Sequence, residues 1–119
     1  MSGVTVTLQG GEKLIARLER AESRVERKIA LAVASSAIRI QALARQAAPV
    51  DTGRLRSSIF VRFLDGGLSA EVRTDVQYAS FQEFGTRHIP PRPFLGPAYN
   101  DEAPKFLRRI EKILKEAVA

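Results

Sequence analysis

The sequence predicts an α+β domain in which a long N-terminal helix and a C-terminal helix pack on a small antiparallel sheet. Three observations support this class. One apolar stripe with helical spacing runs through residues 12–48, and a second runs through residues 101–119. Between them, two runs of strand-forming residues, 59–64 and 68–74, flank a Gly-Gly pair, which is typical of a hairpin. The predicted order is β-α-β-β-short element-α in a single domain, residues 1–119.

The first two elements are a short strand and a long helix. Residues 4–8, "VTVTL", alternate β-branched and polar side chains and predict the strand. Residues 12–48 contain neither Pro nor Gly and predict one helix, which Pro49 ends. Its apolar or small stripe consists of Leu14, Leu18, Ala21, Val25, Ile29, Ala32, Ser36, Ile40, Leu43 and Ala47. The second half is apolar or small on nearly every side, so we expect it to be covered on more than one face.

A hairpin follows a single turn that Asp51 or Thr52 would cap. We predict a two-residue turn at Gly66-Gly67. It pairs Phe63 with Ala70, Arg62 with Glu71 and Val61 with Val72. This register places apolar side chains on one face and an opposite-charge pair on the other, so it is self-consistent.

The short element lies at residues 75–85. We predict a helical turn with Tyr78 and Phe81 on one face, and a third strand is the alternative. Gly85 is predicted to form a turn that needs positive φ.

A Pro-rich arm is predicted at residues 86–97. Its Phe94 and Leu95 either fill a pocket on another protein or enter the chain's own core, and both alternatives stay open. We hypothesise that Glu83 fixes the root of the arm by pairing with a cation. The candidate cations are Arg54, Arg56 and Arg92.

The last element is a helix in residues 101–119. Asp101 is its predicted cap, and Pro104 is tolerated in the first turn. The core stripe consists of Ala103, Phe106, Leu107, Ile110, Ile113, Leu114, Ala117 and Val118. Lys and Arg residues make the outer face basic.

Composition limits the classes of function. Of 119 residues, 45% are hydrophobic, which is enough for a packed core. There is no Cys, so disulfides and thiol chemistry are excluded. The net charge of +6 favours acidic partners, which are nucleic acid, a membrane surface or an acidic protein face, or it reflects ordinary solubility. No apolar run is long enough to span a bilayer, so we expect no membrane partner.

Catalytic and metal-binding patterns are weak. The tripeptide at residues 51–53, "DTG", matches that of aspartic proteases, but the cations Arg54 and Arg56 would oppose the proton sharing that this mechanism needs. A capped turn explains the tripeptide better. His88 is the only His, so a transition-metal site is poorly supported. We therefore predict no catalytic residue, no cofactor and no metal.

Three motifs occur in order: "APVDTGRLRSSI", "YASFQEFGT" and "RPFLGPA", followed by the terminal amphipathic helix. Together they resemble, over nearly the whole chain, the family of tailed-phage proteins named after the tenth gene product of phage HK-ninety-seven. The resemblance implies a non-catalytic structural virion protein that completes the tail or joins it to the head or connector. It also implies a ring of copies, with six favoured, although the isolated chain can be a monomer.

The motifs and the arm supply the candidate residues for interaction or structure. They are Asp51, Thr52, Gly53, Arg54, Arg56, Tyr78, Glu83, Gly85, Thr86, Arg87, Arg92, Pro93, Phe94 and Leu95. The implied partners are other phage tail or connector proteins, and the implied location is the virion, with the host cytoplasm during assembly. The alternative function is non-specific DNA binding through phosphate contacts.

Overall fold

The structure, a computed structural model, describes residues 3–9, 23–49 and 53–118. The elements are β1 (Val4–Gln9), α1 (Ser23–Ala47), α2 (Arg54–Ser58), β2 (Phe60–Leu64), a 3-10 turn (Asp65–Gly67), β3 (Ser69–Thr74), α3 (Ala79–Phe84) and α4 (Leu95–Val118). The predicted α+β class is confirmed, with helices from both ends of the chain on a three-stranded antiparallel sheet. The short helix α3 is also confirmed over the alternative strand.

The sheet has the strand order β1-β3-β2, and both pairs are antiparallel. The predicted hairpin register is confirmed at all three pairs, which join Phe63 to Ala70, Arg62 to Glu71 and Val61 to Val72. The turn is longer than the predicted two residues, because pairing stops at Leu64 and Ser69. Asp65 begins this turn with φ 54°, and its carboxylate accepts a hydrogen bond from the Ser69 hydroxyl at 2.6 Å.

The long helix α1 contacts both the inner face of the sheet and α4. Its predicted stripe is buried at Val25, Ile29, Ala32, Ser36 and Ile40, and a second row is buried at Val33, Ala37 and Ala44. The helix is therefore covered on more than one face, as predicted. A third stripe, containing Leu31 and Ile38, stays exposed. The predicted helical residues 12–22 lie outside the described residues.

The C-terminal helix α4 starts earlier than predicted, at Leu95. Asp101 is therefore not its cap; it lies within the helix, with its carboxylate 3.5 Å from the Lys105 ammonium. Pro104 also lies inside the helix rather than in the first turn. The predicted arm at residues 86–97 ends sooner as a result, and the remaining residues 86–93 are here named the exposed loop.

The core lies between the inner face of the sheet, α1 and α4. Because side chains alternate along a strand, Val4 and Leu8 of β1 share this face with Ala70 and Val72 of β3. α4 contributes buried Leu95, Ala98, Phe106 and Ile110. Leu107 was predicted in the same stripe, but it is 55% exposed.

Candidate interaction site at the start of the C-terminal helix

The site is built around the turn that joins α3 to the exposed loop. α3 ends where the Gly85 N–H donates to the Phe81 carbonyl, 2.8 Å away. Gly85 has φ 75°, which confirms the predicted positive φ. A Cβ at this position would lie 2.8 Å from both the Ile89 carbonyl oxygen and the Pro91 nitrogen. Glycine therefore allows the loop to return this close to α3.

Main-chain hydrogen bonds give the exposed loop a defined shape. The Thr86 N–H donates to the Ile89 carbonyl at 2.8 Å, and the Thr86 hydroxyl accepts from the N–H groups of His88 and Ile89. At the far end, the Arg92 N–H donates to the Gln82 carbonyl of α3 at 2.7 Å. All side chains of the loop are nonetheless exposed. Local hydrogen bonds, rather than burial, hold its shape.

Glu83 accepts three hydrogen bonds from the first turn of α4. Its Oε1 accepts from the N–H groups of Phe94 and Leu95 at 3.1 and 2.9 Å, and its Oε2 accepts from that of Gly96 at 2.9 Å. A helix leaves four N–H groups without an internal partner at its start, and the fourth residue here is Pro97, which has none. One carboxylate thus satisfies every free donor of this helix end. A Cβ on Gly96 would lie 2.8 Å from Oε2, so glycine makes room for the carboxylate.

The partner of Glu83 is therefore different from the predicted one. We expected a cation from among Arg54, Arg56 and Arg92, whereas the hydrogen bonds come from main-chain amides. The physical reason is that a helix N-terminus combines free N–H donors with the positive end of the helix dipole. It attracts a carboxylate as a cation does. Arg92 contributes its main-chain N–H to the site, while its side chain is exposed.

Phe94 and Leu95 enter the chain's own core. Both side chains are fully buried and belong to the same cluster as the residues of α1 and the sheet. Of the two alternatives left open by the sequence, the structure supports the internal one. These two residues therefore attach the exposed loop and α4 to the domain and do not form a plug for a neighbour.

Different apolar residues are exposed at this site. Phe81 is 55% exposed, Phe84 71% and Ile89 52%, and we name these three residues the α3–loop patch. The patch borders an open groove of about 720 Å³. The groove is lined by Pro49, Gly53, Arg54, Leu55, Tyr78, Phe81, Gln82 and Ile89. The structure thus brings the first two sequence motifs together around one groove.

The other predicted site residues are placed as follows. Asp51 and Thr52 lie outside the described residues. Gly53 directly precedes α2 and has φ 75°, a left-handed backbone conformation that favours glycine. Arg54 is exposed in the wall of the groove, and Arg56 is half-buried. Of the loop residues, Arg87 and Pro93 are exposed.

A buried polar cluster joins α1 to α4 and was missed by sequence reasoning. The Ser36 hydroxyl donates to the Glu102 carboxylate at 2.8 Å, and the Arg109 guanidinium donates to both groups. Ser36 is fully buried and Glu102 is only 2% exposed. The sequence does contain a signal for this cluster. Glu102 occurs in helical register with buried Ala98, Phe106 and Ile110, which is an unusual place for a carboxylate.

The outer face of the sheet is largely charge-balanced. The Glu71 carboxylate lies 3.2 Å from both Arg62 and Arg73, and Arg73 also contacts Asp75 at 2.8 Å. The hydrogen bond that the Arg73 guanidinium donates to the Asp75 carboxylate raises the pKa of Arg73, and Coulombic attraction to Asp75 adds to the effect. Phe60 lies 6.0 Å below the Arg73 guanidinium on this face, whereas Phe63 pairs with Ala70 of the inner face. Phe60 and Phe63 therefore lie on opposite faces of the sheet and do not share a platform on which bases could stack.

Within residues 3–9, 23–49 and 53–118, no three His, Asp or Glu side chains converge to hold a metal ion. Among the helices of the same ranges, none has both the length and the apolar character needed to cross a membrane.

Comparison with known proteins identifies the family. The family described as "Bacteriophage HK97-gp10, putative tail-component" matches residues 12–85. This match covers more than half of the chain, and the chain belongs to this family of phage tail components. The matched region includes the first motif and all of the second except Thr86; it ends at Gly85, so the exposed loop and α4 lie beyond it. No curated protein and no solved structure matches the chain.

Proposed function

We propose that this chain is a structural virion component that completes the phage tail, or joins it to the head or connector, by forming a ring. Membership of the tail-component family over residues 12–85 is the observation that carries this proposal. The virion is then its place of action, and protein–protein contact rather than catalysis is its mode of action.

Ring formation requires two unlike surfaces on each copy, because each copy contacts its two neighbours through different patches. The described surface supplies apolar side chains outside the core. α1 exposes Leu31 and Ile38 along one stripe, and the neighbouring edge strand β2 exposes Phe63. These side chains are candidates for one of the two contacts between copies, with six copies favoured by the resemblance.

Deletion of the gene from its parent phage tests this function. We expect unjoined heads and tails in electron micrographs of the lysate, together with a loss of infectious titre that a plasmid copy restores. A plasmid carrying Glu111→Ala, a change at an exposed position of α4, should restore the titre as well as the wild-type copy does. Particles that lack the chain and still unite heads with tails at normal yield would contradict the proposal.

A second candidate function, non-specific DNA binding, is favoured by the net charge of +6 and by exposed Arg87 and Arg92. Fluorescence anisotropy with duplex DNA at two salt concentrations tests it. If about six phosphates are contacted, affinity should fall about a thousandfold between 50 and 200 mM salt. Arg87→Gln combined with Arg92→Gln should make this dependence shallower. Absence of binding at low salt would remove the candidate.

A further inference from the structure

We infer that the α3–loop patch and its cationic border dock an apolar segment, flanked by acidic side chains, of a different virion protein. This inference rests on the proposed function, because it names the kind of partner that the structural component contacts. It assigns the docking role to Phe81, Phe84 and Ile89 in place of the buried Phe94 and Leu95.

The apolar part of the surface is concentrated in a short stretch of chain. Three large apolar side chains, all more than half exposed, occur within the nine residues 81–89. Two of them, Phe81 and Ile89, line the groove together with Leu55. Single exposed apolar residues are common on protein surfaces, whereas exposed clusters commonly mark sites of protein–protein contact.

The backbone under the patch is already ordered. Glu83, between Phe81 and Phe84, is only 7% exposed and bonds to three amides of α4. On the other side, the hydrogen bonds of Thr86 hold Ile89 in place. A partner therefore meets side chains on an ordered surface, and the exposed loop of this chain loses little conformational entropy on binding. Aromatic side chains in such positions are common centres of binding energy.

The described charged side chains of the exposed loop are cationic. They are Arg87 and Arg92, and both are exposed. Between residues 76 and 95, Glu83 is the only acidic residue, and its carboxylate is buried against α4. The border of the patch thus presents cations and no exposed carboxylate from this stretch. Complementarity predicts a partner with Asp or Glu beside its apolar residues.

A second copy of this chain is a poorer match than a different protein. Five carboxylates of the described residues already lie within 4.0 Å of a cation of the same chain: Glu71, Asp75, Asp101, Glu102 and Glu116. Two copies would also each bring a net charge of +6. Electrostatic complementarity therefore favours a heterologous, acidic partner.

Site-specific photo-crosslinking in assembled particles tests the inference. Benzoyl-phenylalanine replaces Phe84 in the full chain. This chain is supplied to the phage from which the gene has been deleted, and the purified particles are then irradiated. A matched chain carries the same photoreactive group in place of Leu107, which is similarly exposed but lies on α4. Mass spectrometry identifies each cross-linked peptide.

The expected result is a cross-link from position 84 to a different virion protein, at a peptide with Asp or Glu within a few residues. Position 107 should not give this product. Arg87→Glu combined with Arg92→Glu should lower the yield by roughly tenfold, as the loss of two pairs at the edge of an interface does. A cross-link to another copy of this chain, to its own residues 10–22, to DNA, or to an uncharged peptide would overturn the inference, as would no cross-link.

The same particles separate the two proposals. If the chain is incorporated into particles and restores infection, but position 84 gives none of the expected product, the docking inference fails while the proposed function stands. If the unsubstituted chain is absent from purified particles on immunoblots, the proposed function fails, and the docking partner with it.

Discussion

Glu83→Ala should lower the free energy of unfolding by about 3 kcal/mol, because it leaves three amides at the start of α4, two buried and one half-buried, without an acceptor. Each of these hydrogen bonds has a charged acceptor, which makes it stronger than a bond between neutral groups. The carboxylate also lies at the positive end of the helix dipole. Denaturant unfolding followed by circular dichroism measures the change.

Two further variants make this result specific. Glu83→Gln keeps one oxygen that can accept, but its NH₂ group cannot accept from Gly96. The free energy of unfolding of this variant should therefore lie between those of the wild type and Glu83→Ala. Glu111→Ala removes an exposed carboxylate from the same helix and should change stability by less than about 0.5 kcal/mol. Limited proteolysis should show faster cleavage in the exposed loop of Glu83→Ala. If the wild type and Glu83→Ala were cleaved at the same rate and were equally stable, Glu83 would not be the residue that holds the loop to α4.

Phe94→Ala should cost about 4 kcal/mol of unfolding free energy, since truncation of a fully buried Phe loses its burial and leaves a cavity. The ring is buried in the chain's own core, so this loss should appear in the isolated protein, without any partner. Thermal or denaturant unfolding of the purified chain measures it.

The matched control for Phe94 is Phe84→Ala. Phe84 is 71% exposed, and its truncation should change stability by less than about 0.5 kcal/mol. Particle assembly should be affected differently from stability. Phe84→Ala should impair assembly although the isolated protein stays folded, because the change removes a docking side chain. If Phe94→Ala left the isolated chain as stable as the wild type, Phe94 would not be the internal anchor described above.

The hairpin shows how far local patterns can predict this fold. With glycines midway between Val61 and Val72, one register pairs Val61 with Val72 and Phe63 with Ala70 on one face and Arg62 with Glu71 on the other, and that register is observed. The exact turn was not predictable in this way. Asp65 adopts positive φ, and its carboxylate accepts a hydrogen bond from the Ser69 hydroxyl. The last strand pair is therefore Leu64 with Ser69, and the turn between them is longer than two residues.

The start of α4 shows why a local pattern can fail. Asp101 and Pro104 have the residue types expected at a helix start, so sequence reasoning placed the start there. The observed start at Leu95 has no capping side chain of its own. Glu83, twelve residues earlier, satisfies its amides, and buried Phe94 and Leu95 hold it against the core. A cap supplied from another element cannot be recognised from the residues next to the helix.

By itself, the sequence determined the α+β class, the helical stripe of α1, the strand register and the family, because periodicity and short motifs are local properties of the chain. Only the tertiary structure decided which side chains are hidden and which face solvent. Phe94 and Phe84 are chemically identical, yet one is in the core and the other in the α3–loop patch. Similarly, Glu83 and Glu102 find partners on separate elements. Burial and remote hydrogen bonds depend on how the elements pack together, and that arrangement is not present in any one segment.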